Sequence, residues 1–162
     1  IFNWAIYPRF SELTNGHGPV LEYREYESGT RFGVKHLSVQ GVHVNHKVSA
    51  VGYLLSDDDT TIAIKGDTAE TDDFWKLCNA DSSLKAVLVE CAFPNELEQL
   101  SIDSNHLTPE RLRAELEKLD DQQIPVFIIN LKPMYRETVI EQIRRMEIPQ
   151  VQILKIGKAY EI

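Results

Sequence analysis

Cysteine, basic charge and long apolar runs are all scarce in this sequence of 162 residues. The two cysteines, Cys78 and Cys91, make no disulfide framework and lack metal-ligand spacing, so a cytoplasmic location fits best, with the periplasm as the alternative. The 17 basic side chains against 25 acidic ones give a net charge of -8, which argues against a nucleic-acid partner. Since no apolar run approaches the length of a membrane span and no signal peptide is visible, a membrane partner is not expected either.

The spacing of apolar residues predicts a layered α/β fold in one domain, residues 1–162. Mixed aromatic and aliphatic residues predict a buried segment at 1–10. The first half then favours strands, with an alternating stretch at 20–27 and a continuous one at 32–44. The second half alternates helices with short apolar strands. Its third helix opens at Thr108-Pro109 and is predicted to carry two exposed i,i+4 ion pairs, Arg111 with Glu115 and Arg113 with Glu117.

Polar side chains recur where these predicted strands end. His46 precedes the strand at 48–55, Asp67 follows the strand at 61–65, and three further polar residues stand at comparable points, Glu90, His106 and Asn130. Because a rigid sheet gathers such ends at one edge, these groups predict a dinuclear metal site or an acid/base pair. For His46 or Asp67 taken alone, a partly buried histidine and a turn-capping aspartate are the alternative.

Several short elements around these residues occur in a defined order along the chain. They are His46 with 49–55, Gly66-Asp67-Thr68, 84–87 running into Glu90, Phe93-Pro94-Asn95, His106-Leu107-Thr108-Pro109 with Glu115-Leu116, and Leu131-Lys132-Pro133. In this order, and over about residues 1–160, the sequence resembles the class II 3',5'-cyclic-nucleotide phosphodiesterases of the metallo-β-lactamase fold superfamily.

The resemblance implies a four-layer αββα hydrolase that converts cAMP or cGMP to the 5'-monophosphate. It implies two divalent metal ions, zinc first, with manganese or magnesium as alternatives. His46, Asp67 and Asn130 would match metal ligands, with Asp67 bridging both ions. Glu90 and His106 would match a pair that protonates the leaving 3'-oxygen.

Three further residues are candidate contacts to the substrate phosphate: Ser49, Thr68 and Lys132. Their residue types and positions beside the ligand elements suit that role. For Ser49 and Lys132, an ordinary strand serine and a solvated lysine are the alternatives.

Two departures from the family pattern affect these expectations. The His-x-His-x-Asp-His motif is absent, which predicts that residues 1–162 are a fragment without the N-terminal portion of the domain or, alternatively, that the protein lacks that half of the metal site. An exposed sheet edge would then favour association with the missing part or with a second copy as a homodimer. Asn130 stands where the family has histidine, and an amide oxygen is a poor zinc ligand. The alternative function is therefore a non-catalytic fragment or interaction module that retains the fold without a complete dinuclear metal site.

Overall fold

A computed structural model describes residues 8–162, so the segment predicted at 1–10 lies mostly outside the described residues. Seven strands follow one another along the chain: β1 (Arg31–Val34), β2 (Leu37–Val44), β3 (Ala50–Asp57), β4 (Thr60–Ile64), β5 (Leu84–Glu90), β6 (Val126–Ile129) and β7 (Val151–Ile153). The helices are α1 (Asp72–Ala80), α2 (Glu98–Ser104), α3 (Pro109–Leu116) and α4 (Arg136–Arg145), with 3-10 turns at Asn95–Leu97 and Pro133–Tyr135.

All seven strands form one sheet in chain order. Strands β1 to β4 pair antiparallel. Strands β4 to β7 pair in parallel, and each parallel connection crosses over through at least one helix. The α/β class and the order of the elements, strands first and then βα units, are confirmed.

The helices pack on the sheet through one hydrophobic cluster. Helix α1 contributes the buried Phe74 and Trp75, while α3 and α4 add Leu112 and Val139. At Gly52 in β3, a Cβ atom would come within 3.0 Å of the Phe74 ring and 3.1 Å of the Ile64 carbonyl oxygen. Helix α1 therefore lies close against the sheet at this point, and a larger side chain would push it away.

Helix α3 begins as its sequence predicts. The Thr108 hydroxyl accepts a hydrogen bond from the Arg111 backbone N–H at 3.4 Å, and Pro109 occupies the first helical position. This start fixes the loop before α3, which carries His106. None of the helices in the described part of the chain is long and apolar enough to cross a membrane.

Two of the strand predictions were wrong in detail. Residues 20–27 are not a strand, since Val20 and Tyr23 are 51% and 59% exposed and their alternation has no buried side. Residues 32–44 form a hairpin rather than one strand, because the backbone turns at Lys35 with φ 56° between β1 and β2. In both cases the local sequence was compatible with a strand, but pairing with a neighbouring strand decided which residues formed one.

Candidate metal centre

The candidate residues meet at one edge of the sheet. Because β3 runs opposite to β4, and β4, β5 and β6 run in parallel, the start of β3 lies beside the ends of the other three. His46 and Asp67 flank β3 and β4 at this edge, and Glu90 and Asn130 stand at the ends of β5 and β6. His106 reaches the same place from the loop between α2 and α3. Ligands of α/β sheets bind outside strand ends of this kind.

Three of these side chains form a compact group of metal-ligating atoms. His46, Asp67 and His106 each offer a nitrogen or oxygen within 4.8 Å of the others. The two imidazole rings lie 5.0 Å apart between centroids, in an edge-to-face arrangement at 67°. His106 is buried, His46 is half-buried and Asp67 is exposed. Two imidazoles and a carboxylate are ligands that suit zinc and related divalent ions.

Both histidines have one ring nitrogen engaged outside the group. Nδ1 of His46 lies 3.1 Å from the carbonyl oxygen of Asn105, and Nδ1 of His106 lies 2.8 Å from Oε1 of Glu90. A carbonyl oxygen only accepts, so Nδ1 of His46 carries the proton and Nε2 keeps its lone pair. Metal-binding histidines usually have their other ring nitrogen hydrogen-bonded in this way to a carbonyl or carboxylate oxygen.

Glu90 is fully buried beneath His106. Besides His106, its Oε1 accepts backbone N–H bonds from Thr68 and Leu107, each at 3.3 Å, while Oε2 has no hydrogen-bond partner among residues 8–162. Burial raises the pKa of Glu90, although the hydrogen bond and charge of His106 oppose the shift. A carboxyl group with a raised pKa against an imidazole is suited to hold or pass a proton.

Asn130 contacts Asp67 through its amide nitrogen. Nδ2 donates to Oδ1 of Asp67 at 2.7 Å, and the Asn130 backbone adopts a left-handed conformation with φ 54°. In this arrangement the side chain orients the carboxylate of Asp67. Metal ligation by the amide oxygen of Asn130 remains a prediction.

The three candidate substrate contacts differ in their surroundings. Thr68 is fully buried, and its hydroxyl bonds to the carbonyl oxygens of Asn45 at 3.2 Å and Ala69 at 2.9 Å. Its environment is therefore that of a loop-stabilising residue. The Lys132 ammonium lies 5.0 Å from the centre of the Phe93 ring, which in turn packs against His106. Ser49 is exposed in the loop between His46 and β3. Substrate binding by these residues remains a prediction.

A buried ion pair lies directly behind the Asp67 loop. Oε2 of Glu115 accepts hydrogen bonds from the Lys65 ammonium, from Trp75 Nε1 at 2.8 Å and from the Thr71 N–H at 3.1 Å. Lys65 also donates to the Ala69 carbonyl oxygen at 3.1 Å. Both charged side chains are completely buried. Because Lys65 precedes loop 66–71 and the pair is bonded to Ala69 and Thr71, it holds both ends of this loop, which carries Asp67.

The sequence prediction of an exposed pair between Arg111 and Glu115 was wrong. Arg111 instead pairs with Glu70, with Nη2 2.6 Å from Oε2. The strand pattern contained a signal for the true pair, because Lys65 follows Ala63 by two residues and so points to the same, buried, side of the sheet. A lysine at an inward position requires a buried partner.

Asn45 ties the Asp67 loop to the segment that precedes His46. Its carbonyl oxygen accepts from the Ala69 N–H at 2.7 Å as well as from the Thr68 hydroxyl, and its own N–H donates to the Thr71 hydroxyl at 3.1 Å. The backbone of Asn45 therefore joins the segment that carries His46 to the loop that carries Asp67.

No protein-family model matches this chain, and no curated protein matches it. Solved structures do, at low sequence identity. The metallo-β-lactamase fold protein YhfI from Bacillus subtilis aligns with a TM-score of 0.73 and 14% identity, covering 94% of this chain and 60% of that one. A diphosphatase of the PhnP family aligns with a TM-score of 0.59 and 13% identity over 80% of this chain and 45% of that one.

Zinc-bound PqqB from Methylobacterium extorquens aligns with a TM-score of 0.57 and 14% identity, over 85% of this chain and 55% of that one. The described residues thus have the metallo-β-lactamase fold, and the chain spans about 60% of the length of YhfI. Similarity at this level of identity extends to the fold alone.

Proposed function

We propose that this chain is a metal-dependent hydrolase of phosphodiester bonds, with 3',5'-cyclic nucleotides as substrates and 5'-monophosphates as products. The observation that carries the proposal is the convergence of His46, Asp67 and His106 within 4.8 Å at the edge of the sheet. The fold similarity to a diphosphatase and to a zinc-bound protein supports phosphate and metal chemistry at such a site. The cyclic-nucleotide specificity is favoured by the sequence resemblance.

The donor set fits a divalent ion. His46 offers Nε2 with its proton fixed on Nδ1, and Asp67 offers an exposed carboxylate that Asn130 orients. When bound, divalent ions neutralise phosphate oxygens and lower the pKa of water, which is the chemistry that diester hydrolysis at neutral pH requires. His46 and Asp67 would hold the metal, with His106 within reach.

His106 has two available roles that exclude one another at any moment, because its Nε2 can bind a metal or carry a proton. The pairing with the buried Glu90 favours the second role. The Glu90 carboxylate accepts a hydrogen bond from Nδ1–H and so stabilises the doubly protonated ring, which donates its Nε2 proton to the ribose 3'-oxygen as that oxygen leaves and becomes a neutral imidazole.

The metal content and turnover of His106→Gln test this assignment and the function together. We expect the wild-type protein to bind zinc or manganese and hydrolyse cAMP or cGMP. The variant should keep its metal content and lose kcat by on the order of 10²–10⁴, the typical contribution of a general acid. Elemental analysis and steady-state kinetics measure both quantities, with the exposed His43→Gln as the matched control.

Loss of metal from His106→Gln in parallel with activity would show that His106 is a ligand rather than the acid. A wild-type protein that binds no divalent metal and cleaves no phosphodiester would contradict the hydrolase proposal. It would favour instead the non-catalytic module, for which Asn130 in the place of a ligand histidine is the supporting observation.

A cationic cavity beside the metal centre supports an anionic substrate. Its volume is about 490 Å³, Asn130 is one of its lining residues, and Arg136, Lys155 and Lys158 line it without any carboxylate. The two lysines form no ion pair with any residue from 8 to 162, and Arg136 pairs only with the exposed Glu137 at 2.7 Å. Such a concentration of positive charge is notable in a chain of net charge -8.

Removing charge from this cavity should weaken substrate binding more than catalysis. For Lys155→Ala combined with Lys158→Ala, we expect KM to rise on the order of tenfold with kcat nearly unchanged, because these contacts act on substrate and transition state alike. The effect should diminish at high ionic strength. Lys85→Ala, an exposed lysine on β5, is the control. An unchanged KM would place the substrate elsewhere.

A further inference from the structure

Asn105 connects the two histidines of the candidate metal centre. It follows α2 directly and precedes His106 in the chain. Its carbonyl oxygen lies 3.1 Å from Nδ1 of His46, and its side-chain Nδ2 donates to Oδ1 of Asn45 at 2.9 Å. One residue therefore touches the ring of one histidine and forms the peptide bond to the other.

The backbone conformation of Asn105 makes this contact available. Its φ and ψ are 54° and 56°, in the left-handed region, which ends α2 and turns the next peptide out of the helical direction. Its N–H still bonds back to the Ile102 carbonyl oxygen at 3.2 Å, so the turn is anchored on the helix. Asparagine adopts the left-handed region more readily than any residue except glycine, whereas a Cβ-bearing alanine is strained there.

The contact has a chemical consequence for His46. A neutral imidazole carries one proton, and the carbonyl oxygen of Asn105 can only accept, so the proton is held on Nδ1. The lone pair then lies on Nε2, the ring nitrogen that can bind a metal ion together with Asp67. If the carbonyl pointed elsewhere, the proton could move to Nε2 and block ligation.

We propose that Asn105 is a positioning residue whose left-handed backbone sets the Nδ1–H tautomer of His46 and at the same time places His106. Its side-chain bond to Asn45 holds the two loops together but is secondary to the backbone conformation. The inference rests on the proposed metal site for its functional meaning, while the tautomer itself is a property of the metal-free protein.

The matched variants Asn105→Gly and Asn105→Ala separate backbone from side chain. Both remove the bond to Asn45, but only glycine accepts positive φ without strain. We expect Asn105→Gly to keep the Nδ1–H tautomer of His46 and to bind Zn²⁺ within about threefold of wild type, whereas Asn105→Ala should show mixed tautomers and bind on the order of tenfold more weakly. Long-range ¹H–¹⁵N correlation spectra of the metal-free protein and chelator competition with Zn²⁺ or Co²⁺ measure the two effects.

Wild-type tautomer and affinity in Asn105→Ala would overturn the inference, as would an equal loss in Asn105→Gly. If Asn105→Ala does not fold, Asn105→Asp serves in its place, since aspartate also tolerates the left-handed region but cannot donate to Asn45. Loss of the Nδ1–H tautomer of His46 in Asn105→Asp would also overturn the inference. A wild-type protein without metal affinity contradicts the proposed function, yet the tautomer spectra still decide the role of Asn105.

Discussion

Asp67→Ala should abolish metal binding and phosphodiester hydrolysis while leaving the protein folded. Asp67 provides the carboxylate of the three-residue group, and its loss leaves the proposed metal site without its anionic ligand. We expect kcat/KM to fall by at least on the order of 10³, because a metal site contributes several kcal/mol to stabilising the transition state. The side chain is exposed, so the free energy of unfolding should change by no more than about 0.5 kcal/mol.

Elemental analysis, kinetics and denaturant unfolding of the same preparation separate these effects. Asp59→Ala, an exposed aspartate in the turn between β3 and β4, controls for the loss of a negative charge. Unchanged turnover in Asp67→Ala would exclude the proposed role of this carboxylate, whatever the metal content of the protein.

Of the single variants proposed, Glu115→Gln should lower the free energy of unfolding the most. It leaves the buried ammonium of Lys65 without a counter-charge, and breaking a buried pair on one side costs about 3–5 kcal/mol. Replacing both partners, as Lys65→Met with Glu115→Gln, removes the charge instead of stranding it. Because the glutamine amide oxygen can still accept from Trp75 and Thr71, this double variant should recover most of that loss. Chemical denaturation of the two single variants and the double variant measures the coupling. A loss below about 1 kcal/mol in Glu115→Gln would show that the pair is not coupled in this way.

The stability difference between wild type and Glu115→Gln should depend on pH, because folding lowers the pKa of Glu115. Burial alone would raise the pKa of Glu115, but the charge of Lys65 and hydrogen bonds from Lys118, Lys65 and Trp75 together lower it. A carboxyl group whose folded pKa lies below its unfolded value contributes stability above the unfolded pKa and loses it as the pH falls through the folded pKa. The advantage of wild type over Glu115→Gln should therefore shrink below about pH 4.

The edge of the sheet that carries the candidate site could be predicted from the sequence because it depends on local patterns. Apolar runs indicated the strands, and strand direction followed from short turns or intervening helices, so His46 and Asp67 were expected on one side. The positions of these residues in loops did not indicate how far apart their side chains would lie. His106 was expected at the same edge, but only the structure shows that its ligand atom lies within 4.8 Å of those of His46 and Asp67.

The strand pattern contained a signal that Lys65 is buried, but local patterns did not identify the partners in the contacts that hold the site. The pair of Lys65 and Glu115 joins residues 50 positions apart, and in the sequence Glu115 matched an ordinary helical i,i+4 pair with Arg111. Asn105 likewise resembled any loop residue, because its importance lies in a backbone conformation and a carbonyl direction. A strand was predicted at 20–27 for the opposite reason, since its alternation was clear but no neighbouring strand was there to pair with it.

The hydrogen bonds around Asn45 make the three loops of the centre one cooperative unit. This single residue is bonded to the segment 68–71, to Asn105 and, through the chain, to His46. A displacement of Asn45 would break its bonds to segment 68–71 and to Asn105 at the same time, so we expect these segments to open together rather than separately. A divalent ion held by His46 and Asp67, as proposed above, would accordingly be released when these segments open together.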